Sequence, residues 1–342
     1  MKMRFSNHRL ISVLLALIAL PALHSCGERR PKVDHIEINS SLIPFYDDLF
    51  SIVPDSASIE QQKERLIEQY GSYLEMYSRR IVGAGATADP YFSVNMAKFL
   101  SYEANREVVD TCRKVFADLA SLENEITHAF QYYRYYFPEK AVPDVYLHIS
   151  GFNQSIAVDS GVISVSIEKY LGKECVFYEW LETPIYLRKQ MIPEKVVPDI
   201  AKAIVVSEFA YNDSIDDLLS QMVYNGMALY FVKKINPDIS NEYLLDMTVD
   251  EIKWCRQYER MVWASMVEQK HLYTTDRMVM LKYVGDAPYS YYLGQDSPGK
   301  AGIYMGYRIV ETYMKQHPET TLSQLMQRRD YHRIFIESKY RP

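Results

Sequence analysis

The chain has 342 residues, of which 24% are charged and 48% hydrophobic, and its formal net charge is -6. This balance is that of an ordinary globular protein. The acidity argues against a nucleic-acid-binding protein, which needs a basic surface.

The N-terminus has the organisation of a secretory signal peptide. Three basic residues, Lys2, Arg4 and Arg9, precede an apolar run from Leu10 to Leu20. A charged start followed by an apolar run of about ten residues is the pattern of a cleaved signal. The run is too short for a spanning helix, which needs roughly 20 apolar residues.

A bacterial lipobox follows the apolar run. Leu23 lies three places before Cys26, and the small residue Ser25 lies immediately before it. We expect residues 1–25 to be a lipoprotein signal peptide and Cys26 to be lipidated, which gives stable membrane attachment. The alternative is an ordinary signal peptide that is cleaved elsewhere. Removal of residues 1–25 leaves a mature chain of net charge -9.

Three further cysteines, Cys112, Cys175 and Cys255, have no CxxC spacing. One disulfide with a free thiol and three free cysteines are both compatible with this number. We therefore expect no metal site built from cysteine.

Residues 26–58 are predicted to be a lipidated tether and a loosely structured lead, after which the core begins. Apolar residues then recur at helical spacing from Ile59 to Ile81, with Ser58 as the expected N-cap and Gly83 as the stop. A second helix is predicted at 92–104. A long third helix is predicted from Val108 to Phe137. These helices form the predicted helical wall, residues 59–140.

The period changes to two after this wall. Val145, Leu147 and Ile149 alternate with polar or half-polar neighbours, and a second alternating stretch follows the turn at 159–161. We predict a hairpin or a three-stranded antiparallel sheet. Residues 170–193 are predicted to be mostly loop with a short helix.

The stretch 204–231 is predicted to be a pair of helices across a short turn. Pro198 suits the first turn of the first helix, and 212–214 break it before a second helix from about Ile215 to Lys234. The sheet and this pair form the predicted core, residues 141–235.

The predicted C-terminal subdomain, residues 236–342, is helical. Helices are expected at 249–269, 299–316 and 321–328, with a loop at 285–298. Ser297 is the expected N-cap of the middle helix. Gly302 and Gly306 predict a smooth face for close packing against a neighbour.

The helix pair has the layout of a zinc-peptidase core whose ligands are replaced. An HExxH peptidase needs two histidines one turn apart, a glutamate beside the first and a third ligand from a following helix. Ser207 and Tyr211 occupy the two histidine places, Glu208 the place of the general base, and Asn225 that of the third ligand. Neither serine nor tyrosine is a useful zinc ligand here. The alternative is that these are ordinary polar residues at a helix junction.

No replacement metal site is visible, because no two histidines of the mature chain are three or four residues apart. We therefore expect no metal and no cofactor.

Two further motifs match known functional motifs only in part. The segment 294–300 matches a P-loop up to its last position, where Ala301 replaces the hydroxyl residue, and Ser297 and Lys300 satisfy S-x-x-K without the partner motifs of acyl-serine enzymes.

Three segments carry a resemblance to a known family: SIEKYLG at 166–172, LLSQMVYNGMALYF at 218–231 and SPGKAGIYMGYRIVETYM at 297–314. Together with the lipobox, they resemble the gliding-motility lipoprotein GldB family of Bacteroidetes. The resemblance implies an α+β, predominantly helical, zincin-like domain at 59–342 with a small antiparallel sheet and an eroded gluzincin metal motif. It also implies that the loop residues Ser297 and Lys300, with Tyr304 and Tyr307, line the former cleft.

The family is associated with the gliding apparatus and the linked type IX secretion system. We therefore expect a non-catalytic envelope lipoprotein whose partners are the membrane, through the anchor, and envelope proteins of that machinery, with no nucleic acid. An active hydrolase with an unorthodox site and a peptide-binding chaperone are the alternatives. Because residues 27–30 lack a run of acids, we expect the domain to face the periplasm.

Overall fold

Helices dominate the structure, and one four-stranded sheet lies among them. The computed structural model describes residues 30–342, so the predicted signal peptide at 1–25 and the predicted lipidation site Cys26 lie outside the described residues. Val33 to Pro342 form one compact unit. Within the described part of the chain, no helix has the length and apolar character needed to cross a membrane.

The sheet consists of β1 (Leu42–Ile43), β2 (Asp144–His148), β3 (Ile156–Asp159) and β4 (Val162–Ser166), in the order β1-β2-β4-β3. The predicted hairpin is confirmed, since β3 and β4 are antiparallel. The predicted antiparallel sheet is wrong: β1 and β4 both run parallel to β2, so the sheet is mixed. Alternation identifies a strand and its buried face, but it does not identify the partner. Here β4 inserts between β2 and β3.

The N-terminal lead belongs to the core, which corrects the expectation that the core begins after residue 58. Beyond β1, helix α1 (Phe45–Ser51) buries Phe45 and Leu49 completely. The Phe45 ring makes edge contacts, with centroids 4.8 to 4.9 Å apart, to Tyr70, Tyr73 and Tyr77. Such pairs favour a fixed geometry. The helix is too short for its period to stand out in the sequence.

The helical wall differs from prediction in its breaks. Helix α2 (Ser56–Met76) continues as a π turn to Ile81, and Asp55, not Ser58, caps it by accepting from the Ser58 amide. The predicted long helix is two helices, because Asp118 caps a new start by accepting from the Ser121 amide. Apolar spacing alone did not reveal the break, because the buried face continues across it. The wall helices that follow α2 are α3 (Phe92–Ser101), α4 (Glu103–Val115) and α5 (Leu119–Tyr136).

The remaining helices confirm the predicted helix pair and add several short elements. They are α6 (Val176–Trp180), α7 (Ile185–Arg188), α8 (Val196–Glu208), α9 (Leu218–Ile235), α10 (Asn241–Leu245), α11 (Val249–Glu268), α12 (Arg277–Val284), α13 (Ala301–Gln316), α14 (Leu322–Gln327) and α15 (Tyr331–Ser338). The prediction missed α10, α12 and α15. Helix α11 matches prediction closely, and a capping box of Thr248 and Glu251 fixes its start.

Helices α9 and α13 make the most extensive helix contact of the described chain. A Cβ atom added at Gly306 would lie 1.8 Å from the Met222 carbonyl oxygen, and one at Gly226 would lie 2.3 Å from the Gly306 carbonyl oxygen. Both helix backbones therefore touch directly. The predicted close packing at Gly302 and Gly306 is confirmed, and Gly302 packs against Tyr283 of α12.

We expect Gly306→Ala to lower the free energy of unfolding by about 1 to 3 kcal/mol, because the added methyl group must separate two packed backbones. Helix propensity alone would give the opposite sign, since alanine is favoured over glycine in a helix by about 1 kcal/mol. Urea unfolding of the purified protein measures the change. The control is Ser72→Ala on the exposed face of α2, expected to stay within about 0.5 kcal/mol. Unchanged or increased stability of the glycine variant would contradict the close contact.

Candidate functional site

The structure disperses the side chains of the predicted zinc-peptidase frame. Helix α8 ends at Glu208, and Phe209 leaves the helical conformation to pack against Phe137 and Phe231 at centroid distances of 5.3 and 6.0 Å. Tyr211 therefore lies beyond the helix. The expectation that Ser207 and Tyr211 sit one turn apart on one helix face is wrong, because burial of Phe209 redirects the chain between them.

Ser207 and Glu208 are exposed at the end of α8. The Ser207 hydroxyl donates to the Ile204 carbonyl at 3.2 Å, within its own helix. The Glu208 carboxylate pairs with the Lys140 ammonium. A carboxylate at a helix C-terminus is unfavourable next to the helix dipole, and Lys140 offsets that charge. Glu208 is thus engaged in a surface ion pair.

Tyr211 and Asn225 each have local partners. The Tyr211 ring stacks on Tyr331 at 5.4 Å, and its hydroxyl donates to Asp216 at 3.1 Å. Burial first, and then Asp216, raises the pKa of Tyr211. The Asn225 amide donates to the Gln221 carbonyl of its own helix at 2.8 Å. Tyr211 approaches α9 through Tyr224, 5.1 Å between centroids, and this contact does not involve Asn225.

A small cavity of about 250 Å³ lies between the α8–α9 connection and residues 329–332. At its edge, Asp217 Oδ2 and His332 Nε2 are 2.7 Å apart. Ser220 also lines this cavity, but its buried hydroxyl has no hydrogen-bond partner in the described chain. Since no hydroxyl–imidazole hydrogen bond links Ser220 to His332, a Ser–His–Asp relay is not assembled.

The four residues predicted to line the former cleft have different surroundings in the structure. Ser297 is buried and does not cap α13; its hydroxyl donates to the Gly294 carbonyl at 2.6 Å. The first amide of α13, at Ala301, donates instead to the Ser290 hydroxyl. Tyr304 and Tyr307 are buried in the core, and neither lines the small cavity above or the groove described below.

Lys300 belongs to a cluster of charges around Asp246. Lys300 pairs with Asp286, and its ammonium lies 3.7 Å from Asp246. Lys202 lies 3.1 Å from Asp246, and Lys195 forms an ion pair with it. Lys300 thus has two carboxylate partners and does not have the free position of a phosphate-binding lysine.

The centre of the cluster is buried, since the side chain of Asp246 is only 8% exposed and that of Lys195 only 2%. Burial alone would raise the pKa of Asp246, but Lys202, Lys195 and Lys300 outweigh it and hold the pKa well below its usual value. The Lys195 ammonium also donates to the Tyr243 carbonyl at 2.7 Å. Burial lowers the pKa of Lys195, with Lys202 adding to the effect.

Sequence reasoning missed this cluster. A signal was present in the spacing of Lys195 and Lys202, which are seven residues apart, about two helical turns, in a stretch whose other residues are mainly apolar. Buried lysines need acidic partners. Those partners come from Asp199 of α8 and from Asp246, which is 44 residues beyond Lys202.

A groove of about 840 Å³ opens above this cluster. Most of its lining comes from three segments, residues 171–177, 189–195 and 242–248, and Thr111 of α4 completes it. Lys195 and Asp246 lie at its floor, and its walls include the apolar side chains of Val176, Phe177 and Met247. The size is that of a ligand or side-chain binding site.

The groove and the predicted peptidase frame lie at opposite ends of α8. Lys195 immediately precedes α8, whereas Glu208 is its last residue. At 1.5 Å per residue the helix is about 18 Å long between these ends. The groove is therefore a different site from the one that the sequence predicted.

A second buried polar set lies in the sheet. The Ser164 hydroxyl contacts His148 Nδ1 at 2.7 Å and the Tyr73 hydroxyl at 2.8 Å. Burial lowers the pKa of His148 to about 3, so the imidazole is neutral at physiological pH. Glu168 accepts from the amide and the hydroxyl of Ser150, at 2.6 and 2.9 Å. These bonds join the ends of β2 and β4.

Metal-ligating side chains do not gather in residues 30–342: no three of His, Cys, Asp or Glu are placed where they could hold one ion. Cys112, Cys175 and Cys255 are all free thiols, and Cys112 and Cys255 are buried.

Comparison with known proteins gives one finding. A family model described as gliding motility protein GldB matches residues 27–342. No curated protein and no solved structure matches the chain.

We expect Asp246→Asn to destabilise the protein by about 3 to 5 kcal/mol, because it removes the nearest carboxylate from the buried Lys195 charge. The depressed pKa makes the contribution of Asp246 complete above the unfolded-state value of about 3.9, and the contribution declines as pH falls below it. The difference between wild type and variant should therefore be constant from pH 5 to 7 and narrow below about pH 4. Urea unfolding across this range measures it.

The matched control is Asp286→Asn, which removes the exposed acid that pairs with Lys300. Since Asp286 is 54% exposed, we expect a loss below about 1 kcal/mol. Equal effects of the two substitutions would show that burial does not set the importance of Asp246.

Proposed function

Because the chain belongs to the family of gliding motility protein GldB, we propose that it is a lipid-anchored, non-catalytic envelope component that supports gliding, or the linked type IX secretion machinery, through protein interaction. Family membership indicates a role in gliding motility and a place among envelope proteins. The lipid anchor, the absence of catalysis and the link to secretion are the finer parts of the proposal.

The non-catalytic part of the proposal rests on the side-chain contacts at the C-terminal end of α8. The glutamate in the general-base position, Glu208, faces solvent in an ion pair with Lys140. The ligand positions are taken by Ser207, whose hydroxyl is bonded within its helix, and by Tyr211, which lies outside it. A zinc peptidase needs these positions on one helix face to activate a water molecule. The side chains present here have other partners.

The zincin-like origin of the domain is part of the proposal. Its support is the chain order: a small sheet ending at Ser166, then the two helices α8 and α9, then a helical C-terminal part. Within this proposal, Ser207, Glu208, Tyr211 and Asn225 mark the remnant of a metal site. The two helices persist because their apolar faces are needed in the core.

The anchor and orientation are supported by the lipobox residues Leu23, Ser25 and Cys26 and by the absence of an acidic run at 27–30. A lipidated Cys26 would attach the chain to a membrane and leave the domain in the periplasm beside it. The anchored domain would then meet other envelope proteins at the membrane, without diffusing freely through the periplasm.

We expect Glu208→Gln to support colony spreading and secretion as well as wild type does in a strain that lacks the chromosomal gene. The exposed pair with Lys140 should contribute less than about 1 kcal/mol to stability. Asp159→Asn, which removes the acid of the exposed pair with Arg80, is the matched control. Lost motility in a normally folded Glu208 variant, or stoichiometric zinc that this substitution removes, would overturn the non-catalytic proposal.

We expect Cys26→Ser to block labelling of the protein with radioactive palmitate and to move it from the membrane fraction to the soluble fraction after export, because the acyl chains are the proposed attachment. Cys175→Ser, at a half-buried free thiol, is the control and should leave labelling unchanged. Persistent labelling of the Cys26 variant would show that the lipid is elsewhere.

A further inference from the structure

Apolar side chains stand in solvent beside the groove. We call Val176, Trp180, Leu181 and Ile185 the apolar lip; Trp180 is 65% exposed and Ile185 is 81% exposed. They come from α6, α7 and the turn between them. Val176 and its neighbour Phe177 also line the groove, and Phe177 contacts Trp180, so the lip begins at the groove wall. Large exposed apolar patches next to a concavity mark interaction sites.

Contacts with the interior hold the lip in place. Phe177 makes an edge contact with Trp180 at 5.4 Å and a tilted contact with Phe152 at 6.3 Å. The Arg188 side chain donates to the Thr183 carbonyl at 2.7 Å, across the turn that presents Leu181. An aromatic side chain fixed in this way can bind with little loss of conformational entropy. Exposed tryptophans in such settings are frequent energetic centres of interfaces.

The groove lining carries an excess of negative charge. Glu174, Glu194 and Glu242 line it, and none of them forms an ion pair within residues 30–342. The lining lysines Lys189 and Lys195 are neutralised by Glu251 and Asp246. Lys173 is then the one basic residue of the described groove lining that is left to balance the three carboxylates.

The negative charge also affects the pKa of a side chain inside the groove. Burial first, and then Glu194 and Glu242, raises the pKa of Tyr243, which lines the groove. Glu182, which follows Leu181 in the lip, adds a further exposed carboxylate. The surface therefore combines apolar contact area with a negative potential.

We propose that the groove and the apolar lip bind a segment of a partner protein in which apolar side chains stand next to lysine or arginine. The apolar side chains would enter the groove and cover Trp180, and the basic ones would pair with Glu174, Glu194 and Glu242. Complementary charge of this kind speeds association and selects the partner. The inference deepens the proposed function, on which it rests.

Charge also decides against the other occupants. A bilayer with anionic lipids would be repelled by these carboxylates, whereas membrane-binding surfaces carry lysine and arginine. A second copy of the chain in a two-fold contact would bring the same acidic surface against itself, which is unfavourable.

The test is site-specific photocrosslinking with the full-length lipoprotein in intact cells. A benzophenone amino acid replaces Ile185, and mass spectrometry maps the cross-linked peptide. We expect an adduct on a segment of another protein that has basic residues beside apolar ones. Adducts to lipid, to a second copy or to a segment without basic residues would overturn the inference. A yield no greater than that from the control position Ile336, which is 70% exposed on α15, would also overturn it.

A synthetic peptide of the mapped segment then serves as the probe for affinity. We expect Trp180→Ser and the double variant Glu174→Lys, Glu194→Lys each to weaken its binding at least about tenfold. Replacement of its basic residues by glutamate should do the same, and added salt should weaken binding. Ile336→Ser is the matched control and should bind like wild type. Unaltered thermal unfolding shows that each variant is folded, and normal binding by the folded groove variants would contradict the proposal.

The two proposals fail in distinguishable ways. Cleavage of the bound peptide by the protein would overturn the non-catalytic function and leave the groove assignment standing. Absence of a basic adduct at Ile185, with normal motility of the Glu208 variant, would overturn the groove assignment and leave the non-catalytic function standing.

Discussion

The contact between the backbones of α9 and α13 is the constraint on which the rest of the domain depends. Gly226 and Gly306 leave no room for a side chain where the helices cross, so two elements 80 residues apart are held at one distance and one angle. Helix α9 also contacts α5, α8 and α15. None of its residues is exposed, because a helix surrounded by others is buried on most sides.

The cluster around Asp246 connects this helical core to the surface. It joins the start of α8, the end of α10 and the segment before α13 through four charged side chains. Such a cluster adds little net stability compared with apolar packing, but loss of one member is costly. Its effect here is positional: it fixes the floor of the groove while the lip is held from the other side by Phe152 and Phe177.

The two ends of α8 have different roles in this picture. At its C-terminal end, the residues of the peptidase frame form local hydrogen bonds and an ion pair. At its N-terminal end, about 18 Å away, the groove offers apolar area and unpaired carboxylates. Under the proposed zincin-like origin, the helices of the old site were kept for packing and the contact surface lies elsewhere.

Much of the chain was readable from sequence because the signals are local. Most helices, the β3–β4 hairpin and the glycine face of α13 follow from residues within a few turns of one another. The family resemblance rests on three separate segments, but each of them is recognised by its own local sequence. The tertiary structure alone decided that β2 and β4 run parallel, that α1 is core, that Tyr211 leaves its helix and that three lysines meet at Asp246. Each of these depends on partners tens of residues away, such as Phe209 with Phe137 or Lys202 with Asp246. Periodicity records which face of an element is buried; it carries no information about what that face meets.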